Sequence, residues 1–295
     1  VSLIPAAFAD AVAGRPAEPF VSGDDWLATL PRLVTDVLAD WDLQLEGAAM
    51  HGECAIVLPV RHADSEAVLK LTWPHTEAAH EHLALRAYDG DGAVRLLRAD
   101  PHRWAMLLER LDPVDLSTAP LLEGCELIGT LMRRLDRPAL PQLTRLSQLA
   151  TDWEALCAQG SAAVPRRFTD QAQSLIRELR SDDIDRSLVH QDLHFANVLR
   201  AQREPWLAID PKSVAGEWEF AVAPVVWNRE DLTASAHNVR NHLRLRLGLV
   251  CEAAGLDEDR AAAWTFVRVI VNALWGSDHA PWVTRMITIA KAMTD

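Results

Sequence analysis

Apolar residues first recur at helical spacing over residues 24–40. Trp26, Leu27, Leu30, Leu33, Val34, Val37 and Leu38 form one stripe behind the acidic pair Asp24-Asp25. This spacing predicts a packing helix. The period then shortens. Runs of four to eight apolar residues between turn signals predict a mostly antiparallel sheet with one inserted helix over 44–110. The expected strands are Leu43–Met50, Cys54–Val60, Glu66–Thr72, Val94–Leu97 and Ala105–Leu108. Turns are expected at His51-Gly52-Glu53, Arg61–Ser65 and Asp100-Pro101-His102-Arg103. A helix is expected from Pro74 to about Tyr88, closed by Asp89-Gly90-Asp91-Gly92. From about Pro120 the helical period returns, over 120–136, 144–158, 167–180, 220–228, 238–254, 258–276 and 281–293. Two short apolar runs interrupt those helices, Leu188-Val189 and Trp206 to Ile209, and they frame a polar loop.

That loop carries His190, Asp192, His194 and Asn197, and the second apolar run ends at Asp210. One carboxylate five positions before an amide, with a second carboxylate at a strand end, suits phosphoryl transfer. The transition state of that reaction is loose, so catalysis is mainly positioning and charge neutralisation. Asp192 suits the carboxylate beside the attacking hydroxyl. Asn197 and Asp210 suit the hard oxygen ligands that magnesium prefers. His190 suits a buttress for the loop backbone. A zinc site on His190, Asp192 and His194 is a rival reading, since in an extended strand the three would share a face. It leaves Asn197 and Asp210 without a role. A third reading is a nucleotide-binding module without turnover.

The cation for the phosphates is sought among very few lysines: Lys70, Lys212 and Lys291 stand against 26 arginines. Lys70 lies in Ala-Val-Leu-Lys-Leu, with Val68 on its face and Leu69 and Leu71 on the other. A lone strand lysine can simply face water. The following helix favours a different reading. Glu81 shares a half-apolar stripe with Ala84, Leu85 and Tyr88, and a carboxylate there needs a partner. Lys70 is expected to be that partner, with Glu77 as the competing acid. Gly52 alone reads as a turn residue, and gains interest only from preceding the strands that lead to Lys70. The run Met106 to Pro113 reads as a strand passing into a lobe boundary. Main-chain groups around Glu109–Leu111 would there be available to an adenine ring.

Composition narrows the partners. The chain has 295 residues, 49% hydrophobic and 24% charged, which suits an ordinary globular protein of two lobes. The net charge of −13 argues against nucleic acid. Residues 1–110 hold 17 acids and 9 bases, and residues 111–295 hold 25 and 20, so the excess marks no acceptor site. Cys54, Cys125, Cys157 and Cys251 are far apart, which fits a reducing cytoplasm. The apolar start, Val1 to Ala13, has no basic residue before Arg15 and is interrupted by Asp10, unlike a signal peptide. No uncharged run approaches the ~20 residues of a membrane span.

The ordered set Lys70, Glu81, His190-x-Asp192-x4-Asn197 and Asp210 resembles protein-kinase-like phosphotransferases. The wording His-Gln-Asp-Leu-His-Phe-Ala-Asn-Val-Leu, then Leu-Ala-Ile-Asp-Pro-Lys, is similar to the aminoglycoside phosphotransferase superfamily, in its streptomycin 6-phosphotransferase and hydroxyurea phosphotransferase branch. The resemblance spans nearly the whole chain. It implies an α+β, two-lobed kinase fold, with a small antiparallel-sheet lobe over 1–110 and a mainly helical lobe over 111–295. It implies ATP and magnesium as cofactors and a small-molecule acceptor, either an aminoglycoside such as streptomycin or a smaller compound such as hydroxyurea. Asp192 would be the catalytic base, and Asn197 and Asp210 the metal ligands. Lys70 with Glu81 would serve the phosphates near Gly52, and Met106, Glu109 and Leu111 would line the adenine site. Two positions depart from the pattern. Asp136 stands where relatives commonly have His, and Glu53 and Cys54 follow Gly52 where relatives often have small residues. In the helical lobe, Glu217, Glu219, Glu230, Asp231 and Asp278 are candidates to face a cationic sugar, and Trp218, Trp227 and Trp275 to stack on one, although each taken singly reads first as a surface or core residue.

Overall fold

The computed structural model describes residues 3–63, 65–180 and 183–294. The chain forms two compact units, Val1–Asp112 and Pro113–Asp295.

In the first unit, a short helix α1 (Ala6–Val12) and the long helix α2 (Gly23–Asp40) precede the sheet. The Ser22 hydroxyl caps α2 by accepting from the Asp25 N–H at 3.2 Å, with the acids Asp24 and Asp25 in its first turn. The strands are β1 (Leu43–Leu45), β2 (Met50–His51), β3 (Ala55–His62), β4 (Ser65–Thr72), β5 (Leu96–Asp100) and β6 (Ala105–Glu109). All their pairings are antiparallel, in the order β1-β3-β4-β6-β5, and β2 adds to β3. One face of this sheet is dry. Trp26, Leu30, Val34 and Val37 of α2 pack on Ile56, Leu58, Val60, Leu69, Leu71 and Leu107. Alternation along β4 therefore sends Lys70 to the opposite face, with Met106 of β6 directly across the ladder.

Three expectations for this unit change. The strand at Leu43–Met50 is broken at Gly47, whose φ of 99° ends β1. The helix from Pro74 is a 3-10 turn, Thr76–Ala78, followed by helix α3 (Glu81–Tyr88). His75 keeps the chain extended there, because its main chain bridges Glu18 and its buried ring bonds the Trp73 carbonyl at 2.7 Å. The strand at Val94–Leu97 starts two residues later and runs to Asp100 across a bulge between Leu96 and Arg98. Of the turn at Arg61–Ser65, Asp64 lies outside the described residues. The end of α3 follows the sequence expectation: Asp89, Gly90 and Gly92 all have positive φ.

The second unit is mainly helical: α4 (Leu121–Arg134), α5 (Leu146–Gln159), α6 (Arg166–Leu179), α7 (Ala223–Trp227), α8 (Glu230–Ala234), α9 (Val239–Ala254), α10 (Glu258–Trp275) and α11 (Ala280–Met293). Helix α10 is its centre, buried from Trp264 through Val271. Helices α4 and α9 approach so closely that a Cβ at Gly129 would lie 2.5 Å from the Val250 carbonyl oxygen. The stretch expected as a helix at 220–228 is a 3-10 segment, Trp218–Val222, that runs into α7.

Five short strands are set among the helices: β7 (Thr144–Arg145), β8 (Ser187–His190), β9 (Val198–Arg200), β10 (Trp206–Ala208) and β11 (Ser213–Gly216). They make two small sheets, β7-β11-β8 and β10-β9. The two apolar runs that frame the polar loop thus pair with different partners, β8 with β11 and β10 with β9.

Candidate active site

Each unit carries its own group of candidate residues. In the first unit, Lys70 does not face water. Its Nζ donates to both carboxylate oxygens of Glu81, at 2.7 and 2.8 Å, and both side chains are buried. Helix α3 begins at Glu81, so the acid sits in the first turn, where the helix dipole also favours it. Glu77 lies exposed in the preceding 3-10 turn. Met106 is buried on the same face as Lys70. Gly52 sits in the tight connection from β2 to β3, where its N–H donates to the Ala55 carbonyl at 2.9 Å. Its two unusual neighbours are both occupied by Arg15, which reaches Glu53 at 3.0 Å and the Cys54 sulfur at 3.1 Å. The charge of Glu53 is therefore paired and turned to solvent. At the end of β6, the Glu109 carboxylate accepts from the Arg95 N–H at 3.1 Å. The N–H and C=O of Leu111 make no hydrogen bond to other described residues.

In the second unit, strand β8 ends at His190 and the chain turns. His190 is fully buried and both of its ring nitrogens are engaged. Nε2 donates to the Ile209 carbonyl at 3.1 Å, and Nδ1 accepts from the Asp192 N–H at 3.3 Å. Burial pushes its pKa down to about 4, so the ring is neutral and fits this single tautomer. His190 thus ties the two ends of the loop together and has no lone pair left for a metal. The turn after β8 also removes the extended geometry that the zinc reading required. Among the described residues, no group of three or more His, Cys, Asp or Glu is placed to share an ion.

Asn197 closes the loop from the other side. Its Nδ2 donates to the Asp192 carbonyl at 2.9 Å, and its own carbonyl accepts from the Ile209 N–H at 2.9 Å. The next residue, Asp210, is held at φ 55°, a conformation uncommon for a residue other than glycine. The loop backbone thereby brings Asp192, Asn197 and Asp210 together. Because Nδ2 is the bonded atom, Oδ1 of Asn197 carries no hydrogen bond among the described residues. It is an available hard oxygen, the donor type magnesium takes, on the residue whose main-chain carbonyl holds Ile209, next to Asp210.

Two side chains flank Asp192: Lys212, which was not found from the sequence, and His194, which was read there only as a rival zinc ligand. Lys212 places Nζ 2.9 Å from Oδ2, and His194 places Nε2 3.8 Å from Oδ1. The His194 pKa is lowered, first by burial, and its Nδ1 caps the following 3-10 turn by accepting from the Ala196 N–H at 3.3 Å. The scarcity of lysine was a signal for Lys212. Its pairing was hidden because β11, which places it, is too short and small-residue-rich to stand out.

Asp136 takes over a structural bond. Its Oδ1 accepts from Trp218 Nε1 at 3.1 Å. Of the acids offered for a cationic acceptor, Glu217 is spent inside the fold, while Glu230 and Asp231 are exposed and ion-paired at the surface. Glu217 is buried and accepts from Arg260 at 2.7 Å and Trp264 at 2.5 Å, while Glu230 pairs with Arg285 at 2.7 Å and Asp231 with Arg229 at 3.4 Å. Asp278 and Trp275 are exposed. No helix among the described residues is long and apolar enough to cross a membrane.

A sequence profile of the family described as aminoglycoside/hydroxyurea antibiotic resistance kinase matches residues 40–280. A streptomycin 6-kinase of Streptomyces glaucescens is 39% identical over 92% of this chain and 91% of its own length. A hydroxyurea phosphotransferase of Kitasatospora aureofaciens is 38% identical over 86% of this chain and 75% of its own. Among solved structures, choline kinase LicA from Streptococcus pneumoniae matches with a TM-score of 0.62 at 12% identity, over 90% of this chain and 98% of that one. A spectinomycin phosphotransferase in complex with ADP and spectinomycin matches with a TM-score of 0.55 at 15% identity, over 90% and 94%. These two likenesses show the fold, an α+β protein-kinase-like architecture with an antiparallel sheet and many helices.

Proposed function

Because the chain belongs to the aminoglycoside/hydroxyurea antibiotic resistance kinase family and is a small-molecule kinase, we propose that it moves the γ-phosphoryl group of magnesium-bound ATP onto a hydroxyl of an aminoglycoside, with streptomycin the leading candidate. The observation that carries this reading is the loop of the second unit, in which one main-chain network presents the Asp192 carboxylate, the unbonded oxygen of Asn197 and the Asp210 carboxylate.

In this reading Asp192 accepts the proton of the attacking hydroxyl and fixes its direction. Asn197 and Asp210 hold magnesium, which supplies charge neutralisation to the triphosphate when bound. Lys70, kept straight by Glu81, contacts the phosphates beside the Gly52 turn, and Leu111 offers the adenine ring its N–H and C=O with Met106 and Glu109 nearby. The buried His190 does no chemistry and sets the loop that aims Asp192. The protein acts in the cytoplasm, where its four free cysteines stay reduced.

A second reading, a kinase of hydroxyurea or another small neutral acceptor, is favoured by one observation. Glu217 is buried and bonded, and the exposed Glu230 and Asp231 are each paired with an arginine, so their charges are already partly compensated before a polycation arrives. Incubation with ATP, magnesium and a panel containing streptomycin and hydroxyurea separates the two, with the phosphorylated product identified by mass. Transfer to streptomycin that is abolished in Asp192→Ala supports the proposal. Transfer that survives in Asp192→Ala refutes the assigned mechanism.

A further inference from the structure

Lys212 is unlike the other basic residues of the second unit. The chain uses arginine at 26 of its 29 basic positions, yet a lysine stands two residues after Asp210. Its main chain is anchored, because its carbonyl accepts from the Gln191 N–H at 2.9 Å, directly before Asp192. From there its Nζ reaches Oδ2 of Asp192 at 2.9 Å, and its side chain is still 30% exposed. That contact is to Oδ2, while Oδ1 lies 3.8 Å from His194 Nε2. The two oxygens of Asp192 thus differ in their neighbours: an ammonium stands at one and an imidazole at the other. A guanidinium in the same place would favour a bidentate fork across both oxygens and take away that second one.

We propose that Lys212 is a catalytic residue: its ammonium holds Oδ2 of Asp192 so that Oδ1 meets the acceptor hydroxyl, and the same charge contacts an oxygen of the phosphoryl group in transfer. This rests on the kinase reading above and extends it by a residue and by an assignment for each carboxylate oxygen. In the step, the acceptor oxygen forms a bond to the γ-phosphorus while the bond from that phosphorus to the β–γ bridging oxygen breaks. ADP leaves with the electron pair, and the hydroxyl proton passes to Oδ1. Negative charge gathers on the equatorial and leaving oxygens as this happens. A cation fixed beside the base meets that charge without moving far, which is where preorganised charge contributes most. A lysine serving only the fold would have no such effect, since its anchor is its main chain, which any substitution other than proline retains.

The test measures steady-state kinetics of Lys212→Ala, Lys212→Arg and Asp192→Asn with ATP, magnesium and streptomycin or hydroxyurea, together with slow phosphate release to water and thermal melting. The proposal expects Lys212→Ala to lower kcat by about 100- to 1000-fold, with KM for ATP within about threefold and an unchanged melting temperature. Lys212→Arg keeps the charge but closes the fork, and loses about tenfold. Added n-propylammonium restores kcat of Lys212→Ala about tenfold or more, whereas n-propanol does not. A Lys212→Ala enzyme within about threefold of wild type in kcat, or one whose loss lies wholly in KM for ATP or in melting, overturns the role of Lys212. If that happens while Asp192→Asn is inactive, the kinase reading stands alone. If Asp192→Asn stays active, or wild type transfers phosphate to neither acceptor nor to water, the reading and the role of Lys212 fall together.

Discussion

The buried pair of Lys70 and Glu81 separates what holds the fold from what performs the chemistry. Its perturbation is a cycle of Lys70→Met, Glu81→Met and the double variant. With Nζ at 2.7 and 2.8 Å from the two oxygens, the gross attraction is about 6 kcal/mol at an effective dielectric of ~20. Desolvation of two ions costs several kcal/mol, so the net contribution of the pair to stability is small. Either single change leaves one charge buried without its partner and is expected to cost about 3–5 kcal/mol. The double change leaves methionines of similar length on a face already shared with Met106, and is expected to lie within about 1 kcal/mol of wild type, which gives a coupling energy of at least about 5 kcal/mol. Hydrogen exchange at the amides of β4 measures this within the first unit, free of the unfolding of the second. If the double variant costs as much as the two singles together, the side chains do not act as a pair and the reasoning fails. The kinase reading adds a second expectation: the double variant folds and still loses ATP turnover, because no cation remains at position 70.

Three further expectations concern the second unit. The buried His190 stays neutral down to a pKa of about 4 in the fold, against 6.5 unfolded. The unfolded chain therefore binds a proton that the native chain refuses: this contribution is fully present above pH 6.5 and about 3 kcal/mol is lost as pH falls to 4. Urea titrations of wild type and His190→Gln should show a flatter pH dependence in the variant over that window, and equal slopes refute the assignment. At the crossing of α4 and α9, Gly129→Ala gains about 1 kcal/mol of helix propensity but drives a Cβ to 2.5 Å from the Val250 carbonyl. The clash is expected to win by about 1–2 kcal/mol and lower the melting temperature, and an unchanged or higher one contradicts the close approach. Loss of the bond from Trp218 to Asp136 in Trp218→Phe should cost about 1 kcal/mol and leave kcat untouched, so a large fall in kcat would move Asp136 from the fold into the chemistry.

The candidate loop was more legible in the sequence than the geometry that holds it. Asp192, Asn197 and Asp210 stood out because polar residues of that kind, packed between apolar runs, have few structural explanations. Glu81 was found because a carboxylate on an apolar helical stripe demands a cation. What escaped was whatever depended on short or irregular elements. Strands β7, β9 and β11 have two to four residues, too few for a period to register, and with β11 went the position of Lys212. The early break at His75 could not be read from a sequence in which Pro74 looks like a helix start, because the cause is a bridge to Glu18, far back in the chain. Glu217 could stand as a candidate acceptor contact beside its plainer core reading because its partners, Arg260 and Trp264, arrive some forty residues later.

The three lysines also make the protein unusually simple to interrogate with amine-directed reagents. Lys70 is buried against Glu81, Lys212 is partly open beside Asp192, and Lys291 is exposed on α11. Reductive methylation followed by peptide mapping would therefore report on three side chains, one in each setting. Lys291 calibrates the reagent, and on the proposed reading the other two report on the nucleotide. Protection of Lys70 and Lys212 by ATP and magnesium, with Lys291 unchanged, would register occupancy with no acceptor present. A chain that had used lysine as freely as arginine would bury that signal under two dozen irrelevant amines.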